Sequence, residues 1–309
     1  MEIGGRPSNR PEGMRILNFG SINIDHVYEV AHFVQPGETI RCLRYHRNAG
    51  GKGLNQSIAL SRAGAQTFHA GVIGDDGRHI LELMKESRID SANVRIVRKP
   101  TGQAIIQVNQ DGENTIIVVG GANLEMDQSF VHSVLGGFGK GDFALTQNEL
   151  NAVAEIIRKS HDRGLFVAFN PAPMTDDVLS YPLDLVDVFF VNETEGARLT
   201  GGSEPEKIID RMRQSFPRAS VVLTLGSKGA LFADTANFFA VPAVAVEPVD
   251  TTAAGDTFIG FFLAEWSKTG DTLRSLDVAA RAAAICVTRK GASTSIPWRE
   301  ELGDRAGRS

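Results

Sequence analysis

Two kinds of apolar spacing alternate along the chain and predict alternating strands and helices. Short runs rich in β-branched and aromatic residues are typical of buried strands, and apolar residues three or four positions apart are typical of helices. The predicted strands cover 15–20, 66–73, 143–147, 166–170, 186–191 and 221–225. The predicted helices follow Gly53 and cover 77–87, 152–163, 206–214, 258–267 and 276–288. Such alternation favours a parallel sheet covered by helices.

Two other segments have the spacing of antiparallel hairpins. Residues 25–34 and 39–45 alternate weakly around a Pro-Gly pair, and residues 103–109 and 114–119 flank an Asp-Gly pair, a strong hairpin signal. We therefore predict one α/β domain over residues 14–309, Rossmann-like, with lid segments at about 23–47 and 101–121 that form a small β-sheet. Residues 1–13, which hold several glycines and prolines, are predicted to be a disordered extension.

Charge and composition narrow the class of protein. The formal net charge of −5 disfavours a nucleic-acid surface as the main function, but backbone N–H groups can still hold a small phosphate ligand. Two cysteines, far apart, favour a reducing compartment over a disulfide framework. The longest apolar stretches are shorter than a membrane span, so we expect a cytoplasmic protein without a membrane partner.

The strongest signal for chemistry is the run VDTTAAGDTF at 249–258. Small residues let a backbone approach a ligand, and a helix that starts after such a loop offers free N–H groups and a positive dipole end to phosphate. Asp256 at this place could accept a proton from an attacking hydroxyl. An ordinary N-cap aspartate fits that residue about equally well, although capping leaves Asp250 unexplained.

Two polar motifs suggest a binding site for a polyol. GGKGLNQ at 50–56 is not a Walker A loop, because glycine follows Lys52, yet its glycines allow close approach and the Asn55 amide can bond sugar hydroxyls. Asn23 and Asp25 lie two apart at the end of the first predicted strand and share one face. The alternative for the motif at 50–56 is a turn that binds no ligand, and the alternative for Asn23 and Asp25 is a polar strand end.

Two later strand ends carry further motifs. A carboxylate in NETE at 192–195 could organise Mg²⁺ and its waters, or the segment could be a capped helix start. TLGSKG at 224–229 could hold a nucleotide or be a plain turn. GGFGKG at 136–141 precedes a strand, so we interpret it as a connection. The seven histidines include no H-x-x-x-H pair, which gives a zinc site little support.

The order and spacing of these motifs resemble the ribokinase (PfkB-type) carbohydrate kinase family. NAGGKGLNQ at 48–56 is similar to the N-terminal signature of the family, and DTTAAGDTF at 250–258 is similar to its C-terminal signature. Further similar segments are NPAP at 170–173, NETE at 192–195, TLGSKG at 224–229 and residues 283–297. The resemblance spans about 17–301 and implies a ribokinase-like fold and an ATP-dependent sugar kinase.

The resemblance also implies roles for individual residues. Asp256 would be the general base on the primary hydroxyl of the sugar, and the backbone N–H groups of Ala254, Gly255 and Asp256 would form an anion hole for the γ-phosphoryl group. The implied substrate-binding residues are Asn23, Asp25, Gly51, Lys52, Gly53, Asn55, Ala104, Ile106, Val118, Glu149 and Asp256. The implied ATP-binding residues are Asn192, Glu195, Thr224, Gly226, Ser227, Lys228, Gly229 and Gly255, with Glu195 acting indirectly on Mg²⁺. A monovalent cation, K⁺, would lie at Asp250, Thr252, Cys286, Arg289, Gly291 and Ser295.

Some positions depart from the family pattern. Ala280 stands where the family often has a histidine near adenine, and Asn148 is more polar than the residue expected before Glu149. Four basic residues lie near the lid. They form either a solvated face or a binding surface for an acidic or phosphorylated sugar. The four residues are Arg41, Arg44, His46 and Arg47.

D-ribose is the leading substrate of this interpretation. A nucleoside, a sugar acid or a sugar phosphate is the alternative within the same fold. A non-catalytic sugar sensor is a remote alternative, disfavoured because Asp256 and Gly255 are intact. Exposed edges of lid strands need to be covered, so we expect a homodimer that pairs through the lid.

Overall fold

The structure, a computed structural model, describes residues 14–303, so the predicted extension at 1–13 lies outside the described residues. The strands are β1 (Arg15–Phe19), β2 (Asn23–Glu29), β3 (Arg44–Gly50), β4 (Gln66–Gly74), β5 (Asp90–Val97), β6 (Gly102–Val108), β7 (Asn114–Val119), β8 (Phe143–Gln147), β9 (Phe166–Asn170), β10 (Val188–Asn192), β11 (Ser220–Thr224), β12 (Ala230–Ala233) and β13 (Phe238–Val241). The helices are α1 (Lys52–Arg62), α2 (His79–Glu86), α3 (Gln128–Leu135), α4 (Val153–Asp162), α5 (Glu193–Thr200), α6 (Pro205–Ser215), α7 (Ala254–Thr269) and α8 (Thr272–Val287).

The larger sheet has the strand order β13-β12-β11-β10-β9-β8-β1-β4-β5. The strands from β11 to β5 pair in parallel, and β12 and β13 add an antiparallel edge. The predicted fold class, a parallel sheet flanked by helices with a small separate sheet, is confirmed. Because β4 and β8 lie on opposite sides of β1, the strand order reverses at β1 and β8. Open α/β sheets bind ligands in the crevice at such a switch point.

Alternating side chains on each strand send apolar groups to both faces of this sheet. Ile16 of β1 packs in a cluster with residues of α1, α7 and α8, including Leu54 and Phe262. Its neighbour Leu17 packs in a second cluster with residues of α3, α4 and α6, including Ile156. The switch point is therefore enclosed between two helical layers.

Helices α1 and α7 pack closely on the first of these faces. A Cβ atom built on Gly260 would lie 2.3 Å from the Cβ of Ala59, so only glycine permits this approach. One turn earlier, Gln56 of α1 contacts Asp256 of α7. Since the contacts advance in the same direction on both helices, α1 and α7 run parallel and their N-termini lie side by side.

The smaller sheet has the order β3-β2-β6-β7. Its strands come from both segments predicted as a lid, and its action as a lid stays a prediction. β2 pairs antiparallel with β3 and parallel with β6, and β7 completes the sheet as an exposed edge. The apolar residues 116–119 of β7 are each between 45% and 62% exposed.

Three predicted boundaries were wrong. Asn23 and Asp25 lie at the start of β2, because the chain leaves the larger sheet after Phe19. Residues 39–43 form no strand, and β3 begins at Arg44, since only the later part of this segment pairs with β2. Helix α7 begins at Ala254 instead of Phe258, because the small residues that suggested a loop already have helical geometry.

Other elements were missed by the sequence analysis. They are β5, β12, β13 and α3, most of them short and next to glycine-rich or acidic connections, whereas α5 agrees with the capped helix start considered for 192–195. β12 and β13 form an antiparallel hairpin that breaks the predicted strand–helix alternation. Within the described part of the chain, no helix is both long and apolar enough to cross a membrane.

Candidate active site

The candidate active site lies where β1 and β8 end at the switch point. The hydroxyl of Ser21 donates to Oε2 of Glu149, and the backbone N–H of Lys52 donates to the same oxygen over 3.1 Å. A Cβ atom on Gly53 would lie 2.3 Å from the backbone nitrogen of Ser21, so the start of α1 approaches the end of β1 closely. Gly51, with φ of 95°, makes the turn into α1. One carboxylate thus holds two strand ends and a helix N-terminus together.

The ammonium group of Lys52 is surrounded by carboxylates. Burial disfavours its charge, but the carboxylates of Asp256, Glu149 and Glu195 outweigh burial and raise the pKa of Lys52. Desolvation also raises the pKa of Glu149, against the opposing effect of the Lys52 ammonium. Residues predicted to bind sugar and nucleotide therefore meet around one positive charge.

Asp256 lies in the first turn of α7 and is 8% exposed. Nδ2 of Asn55 donates to its Oδ2 over 3.1 Å, and Nε2 of Gln56 donates to its Oδ1 over 2.9 Å. Oδ1 of Asn55 is buried and has no hydrogen-bond partner among the described residues. Asn55 therefore orients the carboxylate with one end of its amide and keeps an acceptor free for a ligand hydroxyl.

Gln56 and the polar side chains behind it were missed by the sequence analysis. Nε2 of Gln56 also contacts Oδ1 of Asn170 at 3.2 Å, and Oε1 of Gln56 accepts from Nε2 of Gln147 at 2.7 Å. A signal was available in the sequence, since Asn18 lies within the first predicted strand, and Gln147 and Asn170 end two later predicted strands. All of these side chains are buried beneath α1 and α7.

The N-terminus of α7 has no side-chain cap. The residue before it, Ala253, adopts a left-handed conformation with φ of 61°. The N–H of Ala254 is 3.3 Å from the carbonyl oxygen of Thr251. Gly255 is exposed, and a Cβ atom there would meet nothing within 4 Å. There is room for an anion against this helix end.

The start of β2 brings two predicted sugar-binding residues to the same crevice. Oδ1 of Asn23 accepts from Nδ2 of Asn123 over 2.8 Å, so Asn123 fixes which end of the Asn23 amide faces the crevice. Asp25 is 8% exposed, and burial raises its pKa to about 7, with smaller contributions from the Glu149 and Asp256 carboxylates. Asn123 was not recognised from the sequence.

One face of the smaller sheet, which we call the inner face, carries Asp25. Paired residues in adjacent strands point to the same side of a sheet. Asn48 and Ala104 are the partners of Asp25, and Val118 is the partner of Ala104. Ile106 lies on the inner face in the next row. Ala104, Ile106 and Val118 therefore share the side of the sheet that faces Asp256 and Glu149.

The basic residues near the lid are divided between the two faces of β3 and the segment before it. Arg47 pairs with His26 and points to the opposite side from the inner face. Arg44 pairs with Glu29 at the far end of the inner face, with Nη1 3.8 Å from Oε1 of that glutamate and a side chain 74% exposed. Arg41 precedes β3 and is exposed. Arg44 and His46 lie on the inner face: His46 pairs with Val27, one row from Asp25, and Arg44 lies a further row away.

Asn192 and Glu195 form the capping box that begins α5. The backbone N–H and the Nδ2 of Asn192 each donate to one carboxylate oxygen of Glu195 over 3.0 Å, and the N–H of Glu195 donates back to Oδ1 of Asn192 over 2.8 Å. Burial raises the pKa of Glu195, against these hydrogen bonds. Thr224 pairs with Asn192, so the next motif follows on the adjacent strand.

The loop after Thr224 is a tight 3₁₀ turn at Gly226–Lys228, with Ser227 at its centre. Gly229 ends the turn with φ of 109°, and a Cβ atom there would lie 2.0 Å from a backbone carbonyl oxygen of β13. Only glycine fits this place. Nζ of Lys228 is 3.9 Å from a carboxylate oxygen of Glu193, which links the loop to the start of α5.

The residues predicted to hold a monovalent cation lie in one connected cluster. Oδ1 of Asp250 accepts from the N–H of Thr252, and Oδ2 of Asp250 accepts from the N–H of Gly291, both over 2.9 Å. Asp250 thus joins the loop before α7 to the segment that follows α8.

Cys286 joins the same two segments from α8. Its Sγ lies 3.1 Å from Oγ of Ser295 and 3.6 Å from the carbonyl oxygen of Thr252. The backbone N–H of Arg289 donates to the carbonyl oxygen of Cys286 over 3.1 Å. Burial raises the pKa of the Cys286 thiol, so the sulfur stays neutral and is no strong metal ligand.

The two departures from the family pattern have structural explanations. Nδ2 of Asn148 donates to the carbonyl oxygen of Pro173 and to Oγ1 of Thr175, and the Tyr181 hydroxyl donates to Oδ1 of Asn148. Asn148 therefore fixes a neighbouring loop. Ala280 packs against the apolar cluster around α7 and α8.

The fold matches ribokinase structures, and the predicted class, an ATP-dependent carbohydrate kinase, is confirmed. The family model described as pfkB family carbohydrate kinase matches residues 14–299, and the chain belongs to this family. It is a sugar kinase of the ribokinase type.

Individual relatives agree with this assignment. The chain is 36% identical over 304 residues to a ribokinase of Staphylococcus aureus, covering 93% of this chain and 98% of the relative. It is 34% identical over 303 residues to a ribokinase of Haemophilus influenzae, covering 91% and 95%. The structure of Arabidopsis thaliana ribokinase complexed with ribose and ATP has a TM-score of 0.81 at 28% identity, covering 94% of this chain and 97% of that one.

Proposed function

We propose that this chain transfers the γ-phosphoryl group of ATP to the primary hydroxyl of D-ribose and forms ribose 5-phosphate. The observation that carries the proposal is Asp256, a buried carboxylate held by two amide donors in the first turn of an uncapped helix. Asp25 and Asn23 lie across the same crevice, where a sugar would be held. A relative of similar fold is complexed with ribose and ATP.

Asp256 would act as the general base. Its carboxylate would take the proton of the primary hydroxyl as the hydroxyl oxygen attacks the γ-phosphorus, and ADP would leave. The N–H groups of Gly255 and Asp256, and that of Ala254 with its long contact to Thr251, would stabilise the charge on the transferring group. The Lys52 ammonium adds positive charge beside the same reacting atoms.

The sugar would be held between α1 and the inner face of the smaller sheet. Asp25, Glu149 and the free Oδ1 of Asn55 are hydrogen-bond acceptors for its hydroxyls, and the amide nitrogen of Asn23 is a donor. Gly51 and Gly53 permit close approach of the backbone. Ala104, Ile106 and Val118 would pack against the carbon skeleton of the sugar.

ATP would lie along the ends of β10 and β11, on the motif at 192–195 and the turn at 226–229. Within the described residues no group of three or more His, Cys, Asp or Glu side chains could hold a metal ion. Both oxygens of Glu195 already accept hydrogen bonds from Asn192. Mg²⁺ would therefore be bound through phosphate oxygens and water, with Glu195 acting indirectly, and would offset the charge of the triphosphate.

The donor set around Asp250 fits a monovalent cation such as K⁺. Asp250 would supply a carboxylate and its neighbours backbone carbonyl oxygens, which suit a hard cation, and the neutral Cys286 would contribute its carbonyl oxygen. The ion would be held by Asp250, Thr252, Cys286, Arg289, Gly291 and Ser295. Its charge would keep the loop before α7 in the shape that presents the helix N-terminus.

Assembly and location follow as lesser proposals. The exposed apolar edge at 116–119 would be covered by the smaller sheet of a second copy, giving a homodimer. Light scattering of wild type and Ile117→Lys tests this, and a monomeric wild type contradicts it. A cytoplasmic location remains a prediction from the two free cysteines.

The proposed function is tested by ADP formation with a panel of acceptors. The panel contains D-ribose, other pentoses, hexoses, sugar acids, sugar phosphates and nucleosides, each with ATP and Mg²⁺, with K⁺ or Na⁺. We expect the highest kcat/KM with D-ribose and a higher rate with K⁺. Preference for a sugar acid or a nucleoside would overturn the ribose proposal, and no turnover on any acceptor would favour a non-catalytic sensor.

A further inference from the structure

Gln56 contacts the proposed base but lies outside the sets predicted to bind sugar or nucleotide. Its Nε2 donates to Oδ1 of Asp256 over 2.9 Å, and Asn55, the residue before it, holds the other carboxylate oxygen. Gln56 is fully buried. It reaches the carboxylate from the protein interior, whereas Asn55 keeps an acceptor free for a ligand.

The orientation of the Gln56 amide is determined by two further side chains. Oε1 of Gln56 accepts from Nε2 of Gln147 over 2.7 Å, so the nitrogen of the amide must point the other way. That nitrogen also lies 3.2 Å from Oδ1 of Asn170. Two acceptors, on Asp256 and Asn170, therefore lie beside the amide nitrogen, and one donor, on Gln147, lies beside the amide oxygen. Only one orientation of the Gln56 amide satisfies all three, and it directs an N–H at Asp256.

The network continues away from the crevice through buried groups. Nε2 of Gln147 donates to Oδ1 of Asn18 over 2.9 Å, and Nδ2 of Asn18 donates to Oγ of Ser57 over 2.9 Å. Oγ of Ser57 is 2.8 Å from Nδ1 of His69. Burying so many polar groups costs stability unless they are paired, and among the atoms of these network side chains Oε1 of Gln147 is buried without a hydrogen-bond partner among the described residues. The network delivers a hydrogen bond to a single ionisable group at the active site, Asp256.

We propose that Gln56 is a positioning residue, which holds the carboxylate of Asp256 in the orientation for proton abstraction through hydrogen bonds relayed from Gln147 and Asn170. The inference rests on the proposed function, because it assigns Gln56 to the base of that reaction.

The first test is Gln56→Met, which keeps the length of the side chain and removes both polar ends. We expect kcat with ribose to fall by about 10- to 100-fold, as misplacement of a reacting group commonly does. KM for ribose should change by less than about threefold, since Gln56 contacts the base and not the sugar-facing acceptors. The matched control is Ser61→Ala on the same helix, whose hydroxyl bonds the carbonyl oxygen of Arg88. It should lose some stability and keep kcat.

The second test is Gln56→Glu, measured against Gln56→Met over the pH range. An introduced carboxylic acid can donate to Asp256 when protonated and repels it when ionised, and burial beside a carboxylate raises the pKa of such a group. We expect the kcat of Gln56→Glu, relative to wild type, to rise as the pH falls, while the ratio for Gln56→Met stays flat. A merely structural role would move both ratios in parallel.

The outcomes separate this inference from the proposed function. If wild type turns over ribose but Gln56→Met keeps kcat within about twofold, the positioning role is overturned and the kinase assignment stands. If wild type turns over no acceptor, the proposed function fails. Should Gln56→Met not fold, Gln147→Met and Gln56→Glu supply the test, and unchanged kcat in Gln147→Met with a flat pH ratio in Gln56→Glu would overturn the proposal.

Discussion

The start of α7 and the inner face of the smaller sheet differ in how far the chain itself holds their side chains. Asp256 receives two amide donors, and those donors are held by further buried amides. On the inner face, the Asp25 carboxyl accepts no hydrogen bond from another described residue, and its neighbours Ala104, Ile106 and Val118 are apolar. The proposed base is therefore preorganised, whereas Asp25 depends on a ligand for its partners.

This contrast explains why the reaction class is easier to assign than the sugar. The proposed phosphoryl-transfer end would consist of backbone N–H groups and one oriented carboxylate, which any alcohol acceptor could use. The proposed sugar end adds Asp25, Asn23 and Glu149, and the register of β2 and β3 places Arg47 on the opposite face of the smaller sheet. Specificity must come mainly from Asp25, Asn23 and the shape of the inner face.

Asp25→Asn is expected to give the largest of the following effects on the sugar end. It should lower kcat/KM for ribose by roughly 100-fold, the worth of a charge-assisted hydrogen bond of up to about 3 kcal/mol. It should also stabilise the ligand-free protein above neutral pH. Because the folded pKa of Asp25 is raised to about 7, its contribution to stability is lost as the pH rises through that value.

Steady-state kinetics and urea unfolding at about pH 5 and pH 8 check both parts. The stabilising effect of Asp25→Asn should be larger at the higher pH, where the wild-type carboxyl is charged. A variant with unchanged kcat/KM, or one destabilised more at the higher pH than at the lower, would contradict the described surroundings of Asp25.

His69 tests the buried network behind the base. Burial lowers its pKa to about 4, so the folded state excludes the proton that the unfolded state binds below about 6.5. Stability should therefore fall between these two values as the pH is lowered, by roughly 3 kcal/mol in total. Protonation of Asp25 raises the stability of the folded state over much of this range. The quantity to measure is therefore the difference in unfolding free energy between wild type and a variant.

The variant is His69→Gln, with the exposed His79→Gln as its control. His69→Gln should be less stable near neutral pH and show a weaker loss of stability on acidification than wild type, whereas His79→Gln should follow wild type. Chemical unfolding monitored across the pH range gives the comparison. A loss of stability as steep as that of wild type in His69→Gln would contradict a buried neutral imidazole.

The smallest effect is expected for Arg47→Ala. Arg47 points away from the inner face, so KM and kcat for ribose should stay within about twofold of wild type. Arg44→Ala, on the inner face but far from Asp25, is the matched comparison. A large rise in KM for Arg47→Ala, for ribose or for an acidic sugar, would mean that the basic residues contact substrate after all.

Much of the fold followed from spacing in the sequence, because buried parallel strands are continuous apolar runs. The strand at 143–147 was predicted for this reason, and the helix at 258–267 was predicted from its apolar residues. Short antiparallel strands such as β12 and β13 give no long apolar run. The start of α7 was hidden because its first residues are small and were interpreted as a loop. Propensity alone did not reveal the left-handed turn at Ala253.

The candidate site was predictable where a single residue type has a recognisable role. Asp256 and Asp25 were found as carboxylates in motifs. Gln56, Asn123 and Gln147 were not found. Their importance lies in contacts with residues 91 and 100 positions away in the sequence, which no local motif reveals. Polar residues at inward positions of apolar strands are the signal that could reveal such networks in other sequences.

The most direct test of the central claim is Asp256→Asn, measured for ribose turnover and for ribose binding by calorimetry. The amide keeps the size of the side chain and cannot take a proton, so kcat should fall by about 1,000-fold, within the range of general-base catalysis. The ribose Kd should stay within about fivefold of wild type, because the other hydrogen-bonding groups remain. A variant that keeps kcat within about tenfold of wild type would contradict the assignment of Asp256 as the base.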